Sequence, residues 1–397
     1  MEHILNRTKG DSIIWGVVIV LTLVSLLAVY SATGSLAYRR YEGHAEIYLM
    51  KQFGVLLAGI GIIYMAHKVN YTVYANIAVL LFAISIPLLL YTLCFGTTYN
   101  EGSRWIRLPL VGITFQTSDL AKLALFMFLA RQLSRLQNDL GNFKKVALQV
   151  FLPVMVICGL IALANLSTAL MIALSCGMLF FIGRIRTTHL LILLGLGLML
   201  FGAIYGFSKL TGKGRATTWE KRIKSFTSDS KEAIPDQVLL GKIAVAKGGA
   251  TGVGPGNSST RNFLPHAYSD MIYAVIIEEY GLIIGGAGLI LLYLLFLWRS
   301  IVIFRRCPFA FGAFLAIGLS FTLVFQAFLN MGVNVNLLPV TGLTLPLISM
   351  GGSSIWFTCL AIGIILSVSR FVDNENPIVV GEKKEQKFKD INEQEAE

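Results

Sequence analysis

The 63 residues numbered 307–369 contain no Asp, Glu, Lys or Arg. Soluble proteins carry about 25% charged residues, whereas this chain of 397 residues has 14% charged and 55% apolar. So long a charge-free stretch offers no face to water, and lipid is the only solvent that suits it. Helices satisfy every backbone polar group internally where water is absent, so the sequence predicts an all-α polytopic membrane protein.

A span needs roughly 20 apolar residues to cross about 30 Å of hydrocarbon. Residues 12–33, 47–66, 71–95, 188–208 and 271–298 each read as one span. The uncharged run 146–183 would be about 57 Å long as a single helix, so it folds into two, turning at Asn165-Leu166-Ser167. The 307–369 run divides into spans near 309–331 and 352–370, joined by a segment that Pro339, Gly342, Pro346, Gly351 and Gly352 interrupt. Non-helical backbone at membrane depth survives only beside protein or a watery cavity, so this segment is expected to form a cavity wall. A tenth span, 118–136, is weak in hydropathy, with Asp119 and Lys122 at one end and Arg131 and Arg135 at the other.

Ten transmembrane helices with both termini cytoplasmic leave seventeen Lys and Arg on the cytoplasmic side and five in the short outer loops. That asymmetry obeys the positive-inside rule. Ten more basic residues lie in 209–270, a large extracytoplasmic loop between spans 7 and 8 that is long enough to translocate whatever its charge. Residues 1–372 are thus one membrane domain, and 373–397 form a cytoplasmic polar tail expected to be disordered. The first apolar run is too long for a signal-peptide core. A net charge of +11 on such a chain points to cytoplasmic loops and membrane lipids and away from nucleic acid. Five cysteines without a C-x-x-C pair give neither a disulfide framework nor a zinc site. The absence of an inverted repeat weighs against transporters built from two related halves.

Three clusters expected at the outer face carry candidate chemistry. In 102–122, Arg104, Trp105 and Arg107 precede Asp119 and Lys122, which open the fourth span three residues apart and share a helix face. Ionisable groups inside a span are expensive to bury and are functional candidates by default; an ion pair that only fastens helices is the plainer alternative. In 248–270 a glycine-rich run leads through Arg261 to Asp270, with Glu278 and Glu279 beyond. Its glycines either turn the chain or present N–H groups to phosphate, although no Gly-Lys-Ser/Thr ending makes it a nucleotide loop. Asp270 either caps the eighth span or serves as a base with a raised pKa. The third cluster, 330–354, is the broken segment, whose Asn, Thr and Ser side chains, Ser349 among them, suit a sugar or lipid head group as well as turn packing. His266 is the only histidine in these clusters, so no protein metal cage is evident. The long loop has ten basic against five acidic residues, which favours an anionic partner such as a lipid pyrophosphate.

On Gly102, Arg104, Trp105, Gln116 and Lys122, on Leu264-Pro265 through Asp270 with Glu278-Glu279 and Gly281, and on the run from Pro346 to Ser354, the chain resembles the SEDS family (shape, elongation, division and sporulation). The resemblance covers about residues 10–372. It implies a multi-pass peptidoglycan glycosyltransferase of the cytoplasmic (inner) membrane that polymerises lipid II into glycan strands. It also implies a class B penicillin-binding protein as transpeptidase partner, with other divisome proteins at the septum. Asp270 matches the family's essential aspartate, and Arg104 and Lys122 match positions linked to the substrate groove. The runs 330–334 and 343–349 look more like the division members than the elongation members. Asp119 stands where Glu is usual, Thr117 where Pro is, Asn165-Leu166-Ser167-Thr168 for Asp-Leu-Gly-Thr or Ser, and His266 for Glu. Carboxylate roles at 165 and 266 therefore do not carry over.

In the reaction so implied, a sugar hydroxyl attacks an anomeric carbon and expels undecaprenyl pyrophosphate. A pyrophosphate leaves as a stabilised anion without a general acid, so one carboxylate suffices. Asp270 is expected to take the hydroxyl proton, with inversion at the anomeric carbon. Arg104, Lys122 and Arg261 are expected to steady the leaving charge, and Trp105, Asp119, Glu278 and Ser349 to complete the substrate site. A divalent cation, magnesium or manganese, is a further candidate. A lipid II flippase is the competing class; it explains intramembrane charge equally well and the large outer loop less well. An elongation-type polymerase is the nearer alternative.

Overall fold

The computed structural model describes residues 10–41, 44–99, 102–107, 114–211 and 236–374. The expectations for residues 212–235 of the long loop and 375–397 of the tail lie outside them. In chain order the helices are α1 (Ser12–Ala32), α2 (Gly34–Tyr41), α3 (Glu46–Lys68), α4 (Tyr71–Phe95), α5 (Thr117–Arg135), α6 (Phe143–Ala164), α7 (Leu166–Ile182), α8 (Thr187–Thr211), α9 (Asp236–Gly248), α10 (Ile272–Arg306), α11 (Ala310–Asn334) and α12 (Ser353–Asn374). Seven of these, α1, α3, α4, α6, α10, α11 and α12, are long and apolar enough to cross a membrane, and α7 and part of α8 are shorter apolar helices. The chain is an all-α, multi-pass membrane protein.

Local chemistry explains where the helices begin and end. Asp11 accepts from the N–H groups of Ile13 and Ile14 at the start of α1, and Asn70 and Asn142 do the same for α4 and α6; each satisfies donors that the first turn leaves without partners. Asp11 also receives Arg299 from α10, at 2.8 Å from Nε, while its own N–H donates to Ser369 of α12. Three helices are tied together at that end. Asn165, with extended backbone (φ −154°, ψ 94°), separates α6 from α7 at the expected polar turn.

Helix α5 fails a hydropathy count because its charges sit at its ends. Its middle, Leu123 to Ala130, is buried throughout. Helices α11 and α12 share that central position, with 78% and 72% of their apolar stretches buried against 22% for α4. Small residues let α12 approach α3 closely: a Cβ on Gly363 would lie 2.7 Å from the Ala66 Cβ, and one on Gly59 2.7 Å from the Cys359 Sγ.

Two features were not anticipated from the sequence. A three-stranded antiparallel sheet, β1 (Thr97–Tyr99), β2 (Gly102–Arg107) and β3 (Thr114–Gln116), joins α4 to α5. Within it Trp105 lies opposite Thr97 on one side and Gln116 on the other. Helix α9, within the long loop, packs on the first turns of α10.

Candidate functional site

Gln326, Asn330 and Asn334 recur every fourth residue of α11 and so form one stripe of side-chain amides on a largely apolar helix. Against this stripe lies the non-helical segment 335–352, broken where its prolines and glycines predict. Gln326 Nε2 donates to the Thr344 carbonyl at 2.9 Å, and Asn330 Nδ2 to that of Leu343 at 2.7 Å. Ser349 Oγ accepts from Leu345 N at 2.8 Å and donates to the Ser269 carbonyl at 2.5 Å. Met350 N donates to the Tyr268 carbonyl at 2.9 Å. The broken segment therefore grips both α11 and the chain entering α10.

Asp270 sits in that grip. Its main-chain carbonyl accepts from Asn330 Nδ2 and Asn334 Nδ2, each at 2.8 Å. Its carboxylate accepts from Ser269 Oγ at 3.1 Å and from Gln237 Nε2 of α9 at 3.4 Å. A Cβ on Gly342 would lie 3.9 Å from Oδ2, which puts the carboxylate beside the broken segment. Of the two readings left open above, helix capping is not what the structure shows. The residue at the N-cap of α10 is Met271, with no side-chain cap bond. Burial raises the Asp270 pKa above the ordinary carboxylate value, opposed by the charge of nearby His266, by its own backbone N–H and by Ser269 and Gln237.

Lys122 and Asp119 lie on α5, facing α11 and α12. Lys122 Nζ is 2.7 Å from Gln326 Oε1 and 3.7 Å from Asp119 Oδ1, and Asp119 Oδ2 accepts from Ser354 at the start of α12. Both line a small cleft with Phe126, Thr322, Phe357 and Thr358. Its polar end is the Asp119–Lys122 pair; the remaining walls are largely apolar, the mix that suits an amphiphile. The neighbouring sheet reaches this region through Gln116, whose N–H donates to Ser353 Oγ at 3.2 Å. Arg104 and Trp105 lie on its strand β2.

The remaining candidates serve the glycine-rich loop. Glu278 is completely buried, which a group that touches a substrate is not. It accepts from Ser258 Oγ at 2.5 Å and from Thr260 N at 3.4 Å. Arg261, expected to face a leaving diphosphate, directs its Nη1 to Glu279, 3.5 Å away, and to Ser31 of α1. The loop amides expected as an alternative phosphate cradle are also engaged: Val253 N and Gly254 N donate to the carbonyls of Glu278 and Glu279 at 2.9 and 3.0 Å. Gly281 (φ +76°, ψ 172°) leaves the helical path here, and the Leu282 and Ile283 N–H groups donate to the Gly249 and Ala250 carbonyls instead of to α10, which frees the carbonyls of Glu278 and Glu279. Gly252 (φ +83°) and Gly281 (φ +76°) are required by this contact, because a Cβ on either would lie 2.3 Å from the facing backbone oxygen.

Among the described residues no three His, Cys, Asp or Glu side chains come together to hold a metal ion. Sequence reasoning missed Gln237, Gln326 and Asn334 as partners of the candidate residues. The four-residue spacing of the α11 amides was the available signal, since three amides in an otherwise uncharged span demand partners.

The model of the cell cycle protein family that embraces FtsW, RodA and SpoVE matches residues 11–374. The chain is 32% identical to stage V sporulation protein E of Bacillus subtilis, over 92% of this chain and 98% of that one. It is 34% identical to the probable peptidoglycan glycosyltransferase FtsW of a Geobacter species, with 92% and 98% covered. Among solved structures, a chain from a peptidoglycan synthase complex that coordinates polymerization and crosslinking superposes with a TM-score of 0.68 at 25% identity, covering 91% and 98%. RodA of Thermus thermophilus shares the fold, with a TM-score of 0.63 at 24% identity and 92% and 98% covered.

Proposed function

The chain belongs to the FtsW, RodA and SpoVE family of cell cycle proteins, and from that premise we propose that it is the peptidoglycan glycosyltransferase of a division machinery, polymerising lipid II at the outer face of the cytoplasmic membrane. The helices α1, α3 to α8 and α10 to α12 act as ten spans with both termini cytoplasmic, and α9 lies outside the membrane. The observation that carries the reading is the seat of Asp270. A carboxylate with a raised pKa, hydrogen-bonded by the neutral side chains of Ser269 and Gln237, lies at the junction of the long loop and α10.

The chemistry follows from that seat. The acceptor sugar hydroxyl attacks the anomeric carbon, its proton passes to the Asp270 carboxylate, and the bond to the pyrophosphate breaks with its electron pair leaving on the diphosphate. Attack opposite the leaving group inverts the carbon. Lys122, held by Gln326, supplies fixed positive charge toward the diphosphate, joined by Arg104 from β2, with Trp105 and Ser349 shaping the site. Asp119 orients Lys122. Arg261 and Glu278 act through the loop they hold. A magnesium or manganese ion, where bound, would neutralise charge on the departing diphosphate; among the described residues no three His, Cys, Asp or Glu side chains converge to hold it. The lipid tails remain in the bilayer beside the cleft lined by Asp119 and Lys122.

A class B penicillin-binding protein, which cross-links the strands, is the proposed partner. The likeness to a chain of a synthase complex that coordinates polymerization with crosslinking supports it. The purified protein in detergent micelles, given lipid II alone and with that partner, should yield glycan polymer on a gel. A flippase would yield none, because a micelle has no second leaflet to supply.

A further inference from the structure

A regular helix continuing through residue 270 would close its turn with the Ala274 N–H on the Asp270 carbonyl, four residues back. That bond is not made. Instead the side-chain amide of Asn334 lies between the two groups: Ala274 N donates to Asn334 Oδ1 at 3.0 Å, and Asn334 Nδ2 donates to the Asp270 carbonyl at 2.8 Å. Asn330 Nδ2 takes the same carbonyl at 2.8 Å. A carboxamide from one helix thus replaces one hydrogen bond of another with two, and the backbone of Asp270 is drawn out of α10 toward α11.

We propose that Asn334 is a positioning residue that splices into the first turn of α10 and so keeps Asp270 from joining that helix. The side chain at 270 is thereby left facing Gln237 and Gly342 rather than the donors at the helix start. Without Asn334 the Ala274 N–H loses its partner while the Asp270 carbonyl keeps only Asn330, so the two backbone groups can pair with each other, extending α10 backward by a residue and carrying the carboxylate off its seat. Such an exchange trades two hydrogen bonds for one but leaves both backbone groups partnered. Asn334 therefore acts on placement more than on stability, which separates it from an ordinary buried amide whose loss strands its partners. This inference rests on Asp270 being the base.

Asn334→Ala tests it. The variant should lose about 10- to 100-fold in kcat, the scale of a misplaced reacting group, with KM for lipid II nearly unchanged and a melting temperature close to the parent's. A kcat within twofold of the parent's would overturn the proposal, as would a kcat loss matched by a large fall in melting temperature. A second readout needs no catalysis. In the Asp270→Cys protein, a membrane-impermeant maleimide is applied from outside and its adduct at position 270 followed by mass spectrometry. Adding Asn334→Ala should slow that labelling several-fold; equal rates would overturn the proposal. Should Asp270→Asn retain polymerisation, the assignment of the base fails by itself, and the labelling rates still decide whether Asn334 sets the position of residue 270.

Discussion

Lys122 Nζ lies 2.7 Å from the amide oxygen of Gln326 and 3.7 Å from the carboxylate of Asp119. The lysine is therefore anchored first by a neutral partner, and its charge is only partly compensated. Gln326 passes the anchor on, because its Nε2 donates to the Thr344 carbonyl, one residue from the Leu343 carbonyl held by Asn330. The proposed cation and the proposed base are registered on one short segment.

Removing the cation should thus affect the reaction more than the binding of substrate. Lys122→Met is expected to reduce kcat by about 100-fold or more, the scale seen when one preorganised electrostatic group is lost. Gln326→Leu, which leaves the charge but frees it to move, should lose about tenfold. Steady-state polymerisation by the two purified variants measures both.

The raised pKa of Asp270 gives opposite pH signs to activity and stability. As a base it must be ionised, so kcat should fall as pH drops through its raised pKa. A carboxyl whose folded pKa lies above its unfolded value adds stability that is complete below the unfolded pKa and is lost as pH rises through the folded one. Asp270→Asn should consequently melt higher than the parent at neutral pH, with the difference shrinking in acid. Melting curves across pH, beside the kcat profile, check both signs.

His266 opposes the effect of burial on Asp270. Its backbone is left-handed (φ +57°), a conformation that asparagine tolerates, so His266→Asn removes the charge without straining the turn. The acid limb of the kcat profile should move to higher pH in this variant. A limb that stays in place would show that the histidine charge does not reach Asp270.

Gly281 and Gly249 both have positive φ, but only at Gly281 is there backbone within reach of an added Cβ, at 2.3 Å from the Ala250 oxygen. Gly249→Ala should cost about 1 kcal/mol from conformation alone. Gly281→Ala should cost several times more, since the ladder between the glycine-rich loop and α10 must separate. Thermal melts of the detergent-solubilised variants distinguish them.

Much of the fold was legible because lipid imposes a simple length rule. The charge-free run 307–369 had to break near Pro339 to Gly352, and it does. Asn165 was readable as a turn because the uncharged run 146–183 is too long for one span, and Asn165 and Ser167 are the polar break in its middle. Helix α5 was recoverable only from the balance of Lys and Arg, as its end charges mask a buried centre. The sheet was not legible: its strands are three to six residues long, too short for an alternating pattern to register. Asp270 and Lys122 stood out as ionisable groups near or inside spans. The roles of Arg261 and Glu278 did not, because sequence distance cannot tell a charge facing a cleft from one facing a buried partner. Asn334 was hidden for a related reason, since its partners lie sixty and sixty-four residues away.

The most direct test is glycan synthesis from lipid II by purified Asp270→Asn protein, with lipid II binding measured on the same sample. Binding retained while polymer falls to background is the predicted result. Polymer made at a rate comparable to the parent's would contradict the account, since no other carboxylate among the described residues occupies that seat.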